Sequence, residues 1–287
     1  MLCAKRICEV NAMPTLYLSD LDGTLLRSDQ RISDYTNETI NRLTEAGMIF
    51  SYATARSYNT AKKVTEGLNA KIPLIVYNGA FIVNNVDGSL MHTNLFTNEE
   101  SAEILKCLLA AGVSPIVYCL DDKERFVYNT TSINHGTLEY ISSRKGDSRD
   151  TPVESDAELS RQGTFYFTCI DKEEKLVPLN EKFRGRFTCV YSKDIYFGTQ
   201  WLEIMPKAAT KATAACQLAK LLGCDRIVAF GDAVNDIPLF DAADECYAVA
   251  NAAAALKERA TAVIGCNDAD GVAHWLEERW HKDKRHG

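Results

Sequence analysis

Two aspartates separated by one residue follow the first apolar run of the sequence. Residues 15–19, Thr-Leu-Tyr-Leu-Ser, fit a short buried strand, and Asp20-Leu-Asp22-Gly-Thr comes directly after them. Positions i and i+2 of an extended backbone project to the same side, so the two carboxylates lie together. Like charges at one point repel unless a cation or a shared proton relieves them. The pair therefore indicates a site for Mg²⁺, which binds one or two carboxylates together with a substrate phosphate.

A second acidic cluster follows another strand pattern late in the chain. After Arg226–Phe230 the sequence reads Gly231-Asp232-Ala-Val-Asn235-Asp236. Taken alone, this cluster could be an N-terminal helix cap formed by Asn235 or Asp236. Beside the first aspartate pair, it instead suggests further polar groups at the carboxyl ends of parallel strands, where open α/β sheets bind ligands.

Thr54 and Lys211 are weaker candidates for the same site. Thr54 ends the second strand pattern and precedes a helix, so its hydroxyl and the free N–H groups there could hold a phosphate oxygen. A plain helix cap is the ordinary alternative. Lys211 lies at the start of a helix, where a cation opposes the helix dipole unless an anion lies nearby. A solvated surface lysine is the alternative for Lys211.

Alternating strand and helix patterns are expected to bring these residues to one edge of a sheet. The alternation runs from Thr15 to Tyr77 and returns from Trp201 to Trp280, with Trp201–Met205 as a strand of the returning part. Asn78-Gly79, after the third strand pattern, either contacts a substrate or begins a hinge, and we favour the hinge.

The middle of the chain has a different pattern. A hairpin, a capping box at Thr97 and Glu100, and several closely spaced strands predict an antiparallel α+β module, with a polar loop at Lys145–Glu154. We therefore predict an α/β protein with a Rossmann-like parallel core, formed by residues 1–84 and 191–287. An α+β domain at residues 85–190 is inserted into it.

Composition narrows the function classes. The chain has 287 residues, of which 46% are hydrophobic, and a formal net charge of −7, which disfavours nucleic acid as a partner. No apolar run approaches the ~18 residues needed to cross a membrane. Residues 1–13 lack the apolar stretch of a signal peptide and are expected to form a short leader. The ten cysteines contain no CxxC pair, so we expect reduced thiols and a cytoplasmic protein.

Taken together, the motifs resemble those of the haloacid dehalogenase superfamily of phosphohydrolases, and among them its Cof-like group. Four motifs match in order: Asp20-x-Asp22-Gly-Thr, Thr54, Lys211, and Gly231-Asp232-x-x-Asn235-Asp236. The similarity extends to Ala248-Val-Ala-Asn251 and Asp270-Gly-Val-Ala273. The separation of Thr54 and Lys211 fits the large C2-type α+β cap of that family. The family often has Thr-Gly-Arg and Gly-Val-Ser-Lys where this chain has Thr54-Ala55-Arg56 and Ala208-Ala-Thr-Lys211, and neither difference removes a catalytic side chain.

The resemblance implies a role for each matched residue. Asp20 would attack phosphorus and form an aspartyl-phosphate, and Asp22 would serve as general acid and then as general base. Mg²⁺ would be held by Asp20, the backbone carbonyl of Asp22, and Asp232, with support from Asp236. The remaining members would hold the phosphoryl oxygens: the N–H groups of Leu21 and Ala55, the Thr54 hydroxyl, Lys211 and the Asn235 amide.

Three functions remain open at this point. The first is a Mg²⁺-dependent phosphatase of small phosphorylated metabolites, such as sugar phosphates. The second is a phosphomutase or phosphotransferase that passes the phosphoryl group to a sugar hydroxyl. The third is a non-catalytic phosphometabolite-binding protein, which would have no need of Asp22 as an acid. We favour the first.

Overall fold

The computed structural model describes residues 14–69, 71, 73–193 and 200–286, and it divides the chain into two units. The first unit comprises Met1–Met91 and Lys211–Gly287, and the second comprises His92–Thr210. The leader predicted at residues 1–13 lies outside the described residues. No helix in the described part of the chain is both long and apolar enough to span a bilayer.

The elements are numbered along the chain. The first stretch contains β1 (Thr15–Ser19), α1 (Asp34–Glu45), β2 (Ile49–Tyr52), α2 (Tyr58–Val64), β3 (Leu74–Val76), β4 (Phe81–Val83) and β5 (Leu90–Thr93). The middle stretch contains α3 (Asn98–Ala110), β6 (Ile116–Leu120), β7 (Glu124–Asn129), α4 (His135–Ser142), β8 (Asp150–Val153), β9 (Thr164–Asp171), α5 (Glu173–Phe183), β10 (Thr188–Lys193) and β11 (Gln200–Met205). The last stretch contains α6 (Lys211–Leu222), β12 (Arg226–Gly231), α7 (Ile237–Ala242), β13 (Glu245–Val249), α8 (Ala254–Lys257), β14 (Ala262–Ile264) and α9 (Gly271–His286).

A parallel sheet forms the centre of the first unit. Among the described residues its five strands run in the order β14-β13-β12-β1-β2, and every neighbouring pair is parallel. β1 and β12 are central because their apolar runs are buried on both faces, as parallel strands must be. Ser19 lies opposite Phe230, so Asp20 and Gly231, which come next, lie side by side at one edge of the sheet. The predicted α/β class with a parallel core is confirmed.

The third strand pattern continues the parallel ladder by a single bridge only. β3 meets the segment after β2 through a parallel bridge between Ala53 and Ile75, and it pairs antiparallel with β4 in a small sheet of order β3-β4-β5. The short β3 nevertheless matters for the site, because the backbone leaves it in an unusual conformation described below.

The second unit has its own sheet and its own apolar core. The strand order is β10-β11-β9-β6-β7-β8, with only the β7–β8 pair parallel. α3 and α5 supply Leu108, Leu176 and Phe183 to a cluster with Phe167 and Ile204 of the sheet. The predicted capping box of Thr97 and Glu100 is present at the start of α3.

Two predictions about this unit differ from the structure. The segment Lys145–Glu154, expected to be a loop, contains the strand β8, which pairs with β7. The strand at Trp201–Met205, expected in the parallel core, is β11 and pairs with β9 and β10. The division of the chain thus lies at 91/92 and 210/211, further along than the expected 84/85 and 190/191. Pairing with distant strands, which local pattern does not encode, accounts for the difference.

Candidate active site

The turn after β1 carries the first two candidate residues. Asp20 continues the strand with extended φ and ψ, and the chain then folds back so that the Leu26 N–H donates to the Leu21 carbonyl. Gly23 has φ of +76°, and a Cβ there would collide with the carboxylate of Asp232. Asn251, which follows β13, donates to the Gly23 carbonyl at 2.7 Å and fixes the turn. Only glycine meets both requirements at this position.

Lys211 joins two of the predicted aspartates. As the first residue of α6 it extends its ammonium group to Asp20 Oδ1 at 2.5 Å and to Asp236 Oδ1 at 2.7 Å. Lys211 is 3% exposed, Asp20 5% and Asp236 0%. The surface-lysine alternative is therefore wrong, and the anions required to offset a cation at a helix N-terminus are present.

Asp236 also organises the loop after β12. Its second carboxylate oxygen accepts from the backbone N–H groups of Asp232 and Ala233, each at 3.1 Å. Both N–H groups precede Asp236, so its side chain fixes the loop and does not cap the following helix α7, as the sequence alone had also allowed. Its other oxygen contacts Lys211. Asp232 in turn accepts a hydrogen bond from the Thr24 hydroxyl at 3.1 Å.

Three carboxylates converge at this point. Asp20, Asp232 and Asp236 each offer an oxygen, and the three atoms lie within 4.8 Å of one another. Oxygen donors of this kind suit a hard divalent cation such as Mg²⁺. The single positive charge of Lys211 leaves three adjacent carboxylates undercompensated when all are ionised. Both the donor set and the charge balance fit a divalent metal ion.

Burial and mutual repulsion shift the pKa values of these groups. Burial raises the pKa of Asp20 well above its usual value, and Asp236 and Asp232 add to the rise while Lys211 opposes it. Burial, together with the charge of Asp236, raises the pKa of Asp232 to about 6. Burial alone would lower the pKa of Lys211, but Asp20 and Asp236 outweigh it and raise that pKa. Shifts of this kind cluster at functional sites.

Asp22 lies in a different environment from Asp20. Its side chain is 49% exposed and receives both arms of the Arg56 guanidinium, Nε at 2.8 Å and Nη2 at 2.6 Å. A two-pronged contact of this type fixes the plane of a carboxylate as well as its position. Arg56 belongs to the Thr54-Ala55-Arg56 motif, but the sequence alone assigned it no role. Its position, two residues after a threonine predicted to bind phosphate, is the feature that could have indicated a role for this guanidinium.

The loop after β2 holds Thr54 rigidly. Its hydroxyl accepts from the Arg56 N–H at 3.1 Å, its own N–H donates to the Ile75 carbonyl at 3.0 Å, and its carbonyl accepts from the Asn78 N–H at 2.9 Å. Thr54 is fully buried, and Ala55 beside it is exposed. The short turn Val234–Asp236 carries Asn235, which is partly exposed, and Leu21 follows Asp20 with its side chain fully buried.

A model of the haloacid dehalogenase-like hydrolase family matches residues 17–276 of this chain. Two phosphatases of Bacillus subtilis, YitU and YwtE, are similar over their length. Both are named for 5-amino-6-(5-phospho-D-ribitylamino)uracil, and both are 26% identical to this chain. The YitU comparison covers 92% of this chain and 97% of that protein, and the YwtE comparison covers 90% and 96%.

Solved structures agree with the sequence comparisons. The crystal structure of TM0651 from Thermotoga maritima superimposes with a TM-score of 0.75 at 26% identity, covering 92% of this chain and 96% of that one. A haloacid dehalogenase-like hydrolase from Bacteroides thetaiotaomicron superimposes with a TM-score of 0.73 at 24% identity, covering 92% and 98%. The fold is thus shared over nearly the whole chain.

Proposed function

The chain belongs to the haloacid dehalogenase-like hydrolases, within their Cof-like group, and is a phosphatase; from this premise we propose that it hydrolyses phosphomonoesters of small metabolites through an aspartyl-phosphate on Asp20, with Mg²⁺ as cofactor. The observation that carries the proposal is the buried group of Asp20, Asp232 and Asp236 around Lys211. A nucleophilic carboxylate, an acidic set that suits a cation and a lysine for phosphoryl oxygens meet there.

The proposed first step is displacement at phosphorus. A carboxylate oxygen of Asp20 forms a bond to phosphorus while the bond to the ester oxygen breaks and its electron pair leaves with that oxygen. Asp22 gives its proton to the departing oxygen, so the product is a neutral alcohol. The Arg56 contact keeps the Asp22 carboxyl in one orientation.

The second step returns the enzyme to its starting state. Asp22 takes a proton from water, whose oxygen bonds to phosphorus as the bond to Asp20 breaks. Phosphate leaves and Asp20 is a carboxylate again. Lys211, the Thr54 hydroxyl, the Asn235 amide and the N–H groups of Leu21 and Ala55 are the groups we propose to hold the phosphoryl oxygens during both steps.

For the metal, Asp20, Asp232 and the backbone carbonyl of Asp22 are the proposed ligands, with Asp236 in support. When bound, Mg²⁺ supplies positive charge that offsets the phosphoryl charge and the three carboxylates. Lys211 contacts two of these carboxylates, those of Asp20 and Asp236.

The proposed substrates are small phosphorylated metabolites, with sugar phosphates as the first class to test. The two Bacillus relatives are named for a phosphorylated ribityl compound, which adds sugar-alcohol phosphates to that class. We also propose a cytoplasmic location. The eight cysteines of the described residues are all free, as expected in a reducing compartment.

Phosphate release from a panel of sugar, sugar-alcohol and nucleotide monophosphates tests the proposal. We expect hydrolysis that EDTA abolishes and Mg²⁺ restores. Ca²⁺ should restore it poorly, because its larger and looser coordination misplaces the nucleophile. Asp29→Asn, the same change at an exposed aspartate, is the control for Asp20→Asn, which should be inactive. Full activity after exhaustive dialysis against EDTA would contradict the metal assignment, and full activity of Asp20→Asn would contradict the nucleophile.

A further inference from the structure

The backbone directly after β3 is in an unusual conformation. Tyr77, Asn78 and Gly79 all have positive φ, at 51°, 53° and 100°. Left-handed φ is uncommon outside glycine, and a bulky residue such as tyrosine adopts it only when its surroundings demand it. Tyr77 and Asn78 are both 5% exposed, so the turn lies in the interior of the first unit. Strain of this type collects where function needs a fixed geometry.

The left-handed turn is hydrogen-bonded to the loop that carries Thr54. The Tyr77 N–H donates to the Arg56 carbonyl at 3.0 Å, and the Asn78 N–H donates to the Thr54 carbonyl at 2.9 Å. Successive N–H groups of an extended strand point to opposite sides, so a strand could not make both bonds. A helical turn points them to the same side. The strained conformation is therefore what allows two adjacent donors to hold one loop.

The hydrogen bond from the Asn78 N–H fixes the direction of the Ala55 N–H. The Thr54 carbonyl and the Ala55 N–H belong to one planar trans peptide and point in opposite directions. When Asn78 binds that carbonyl, the Ala55 N–H must face away from the turn. Thr54 itself cannot rotate, because its N–H is bonded to Ile75 and its hydroxyl accepts from the Arg56 N–H.

We propose that the left-handed turn Tyr77–Gly79 is a positioning device for phosphoryl transfer and that Asn78 is its key positioning residue. The turn aims the Ala55 N–H and holds Thr54 and Arg56. Arg56 then orients the Asp22 carboxylate. Asparagine suits this position because, among residues with a side chain, it tolerates left-handed φ best. The inference rests on the proposed function, since it assigns the turn a part in the same reaction.

Two variants of Asn78 and one control test the inference. Glycine reaches left-handed φ freely but does not favour it, whereas alanine reaches it only at a cost. In Asn78→Gly and Asn78→Ala we expect kcat to fall about tenfold or more, further in the alanine variant, with KM little changed. Asn84→Gly makes the same chemical change in the β4–β5 turn, where Asn84 bonds within that turn, and should leave kcat unchanged.

The substrates are p-nitrophenyl phosphate and a sugar phosphate. A positioning role predicts the same fold loss of kcat for both, because both share the phosphoryl group. The melting temperature of Asn78→Gly should stay close to that of Asn84→Gly. An unchanged kcat in folded Asn78→Gly and Asn78→Ala would overturn the inference. A loss of kcat for one substrate alone would overturn it too, because Asn78 would then act on the leaving group. An equal rise of KM in both variants would also overturn it, because Asn78 would then contact the substrate.

Amide NMR gives a readout independent of turnover. In Asn78→Ala the Tyr77 amide should exchange with solvent faster than in the wild type, and the Ala55 amide signal should shift. If the wild type hydrolyses neither substrate, the proposed function fails. These two amides then test the positioning inference by themselves. An unchanged exchange rate of the Tyr77 amide and an unchanged chemical shift of the Ala55 amide would overturn it.

Discussion

Asp20 and Asp22 are one residue apart, yet the protein places them in opposite environments. Asp20 is buried against Lys211, whereas Asp22 is half exposed and held by Arg56. Desolvation removes water from a nucleophilic carboxylate, and a fixed cation favours its ionised form despite burial. An acid that later acts as a base benefits from contact with solvent, because it must exchange protons with water. These surroundings support the proposal that Asp20 is the nucleophile and Asp22 the acid and base.

Replacing each aspartate by asparagine should therefore have different consequences. Asp20→Asn should abolish turnover, because an amide is no nucleophile here. Asp22→Asn should slow the first step with a sugar phosphate by about 10²–10⁴-fold, the usual value of general acid help. The same step should be much less impaired with p-nitrophenyl phosphate, since nitrophenolate leaves without a proton.

Rapid-quench kinetics of Asp22→Asn separate these steps. We expect a burst of nitrophenolate near one equivalent and then slow turnover, because the second step lacks its base and the aspartyl-phosphate accumulates. Equal slowing of the first step for both substrates would mean that Asp22 serves to organise the loop rather than to transfer protons.

Asp232 should make the metal-free protein less stable as the pH rises. Its pKa is raised from 3.8 to about 6 in the folded state, so the folded protein binds the proton more tightly than the unfolded chain. The stabilisation is fully present below about pH 4 and is lost as the pH rises through 6. Two units correspond to about 3 kcal/mol, and partial exposure reduces this to about 1–2 kcal/mol.

Urea unfolding of metal-free Asp232→Asn between pH 4 and pH 7 checks this sign. At pH 7 the variant should be more stable than the wild type by about 1–2 kcal/mol, and the difference should vanish near pH 4. Added Mg²⁺ should stabilise the wild type and leave the variant unchanged. A variant that is less stable than the wild type at pH 7 without metal would contradict the shift.

At the scale of elements, the sequence predicted best those whose pattern is local. β1 and β12 are short apolar runs bounded by turn residues, and both were predicted within a residue of their observed bounds. β11 has an equally clear strand pattern, but its sheet could not be predicted, because it pairs with β9 and β10 rather than with the parallel core. β8 was missed because its short sequence, Asp-Thr-Pro-Val, contains two polar residues and a proline and so resembles a loop.

The residues of the candidate site were likewise predictable only where a local sequence pattern places them. Asp20, Asp232, Asp236 and Lys211 were predictable because each follows a strand or begins a helix, and parallel strands bring their ends to one edge. The Arg56–Asp22 contact and the left-handed turn at Tyr77 were not, since they depend on the exact path of two loops. No sequence pattern predicts a positive φ at a tyrosine.

The turn Leu21–Leu25 provides an element-scale prediction with a matched control. Gly23 and Gly47 both have positive φ, at +76° and +101°, so alanine should cost each position about 1 kcal/mol of unfolding free energy. Around Gly47 nothing lies within 4 Å of an added Cβ, whereas at Gly23 the Cβ would displace the Asp232 carboxylate. Only Gly23→Ala should also lose phosphatase activity.

Chemical denaturation and phosphate release, measured on the same samples, test this pair. Gly47→Ala should retain full kcat despite its lower stability, which separates stability from activity. Wild-type activity in Gly23→Ala would show that the contact between this turn and Asp232 has no part in the site.

At the scale of the whole molecule, the two units have separate cores and unequal shares of the chemistry. The second unit is built on its own cluster of Leu108, Phe167 and Phe183, which α3, α5 and the mixed sheet provide. Every residue to which we assign chemistry lies in the first unit, from Asp20 to Asp236. Ligands of the reaction centre should therefore stabilise one unit directly and leave the core of the other unchanged.

Calorimetry of the full chain can test this separation. We expect two unfolding transitions, one of which coincides with the transition of residues 92–210 expressed alone. Mg²⁺ with orthovanadate, a small mimic of the transferring phosphoryl group, should raise only the other transition. At a ligand concentration of one hundred times Kd, binding should stabilise the folded first unit by about 2.7 kcal/mol. Asp232→Asn should abolish that increase without moving the second unit's transition, because the substitution removes a proposed metal ligand and leaves the second core intact. If the ligands raised both transitions equally, or only that of residues 92–210, the reaction centre would not be confined to the first unit.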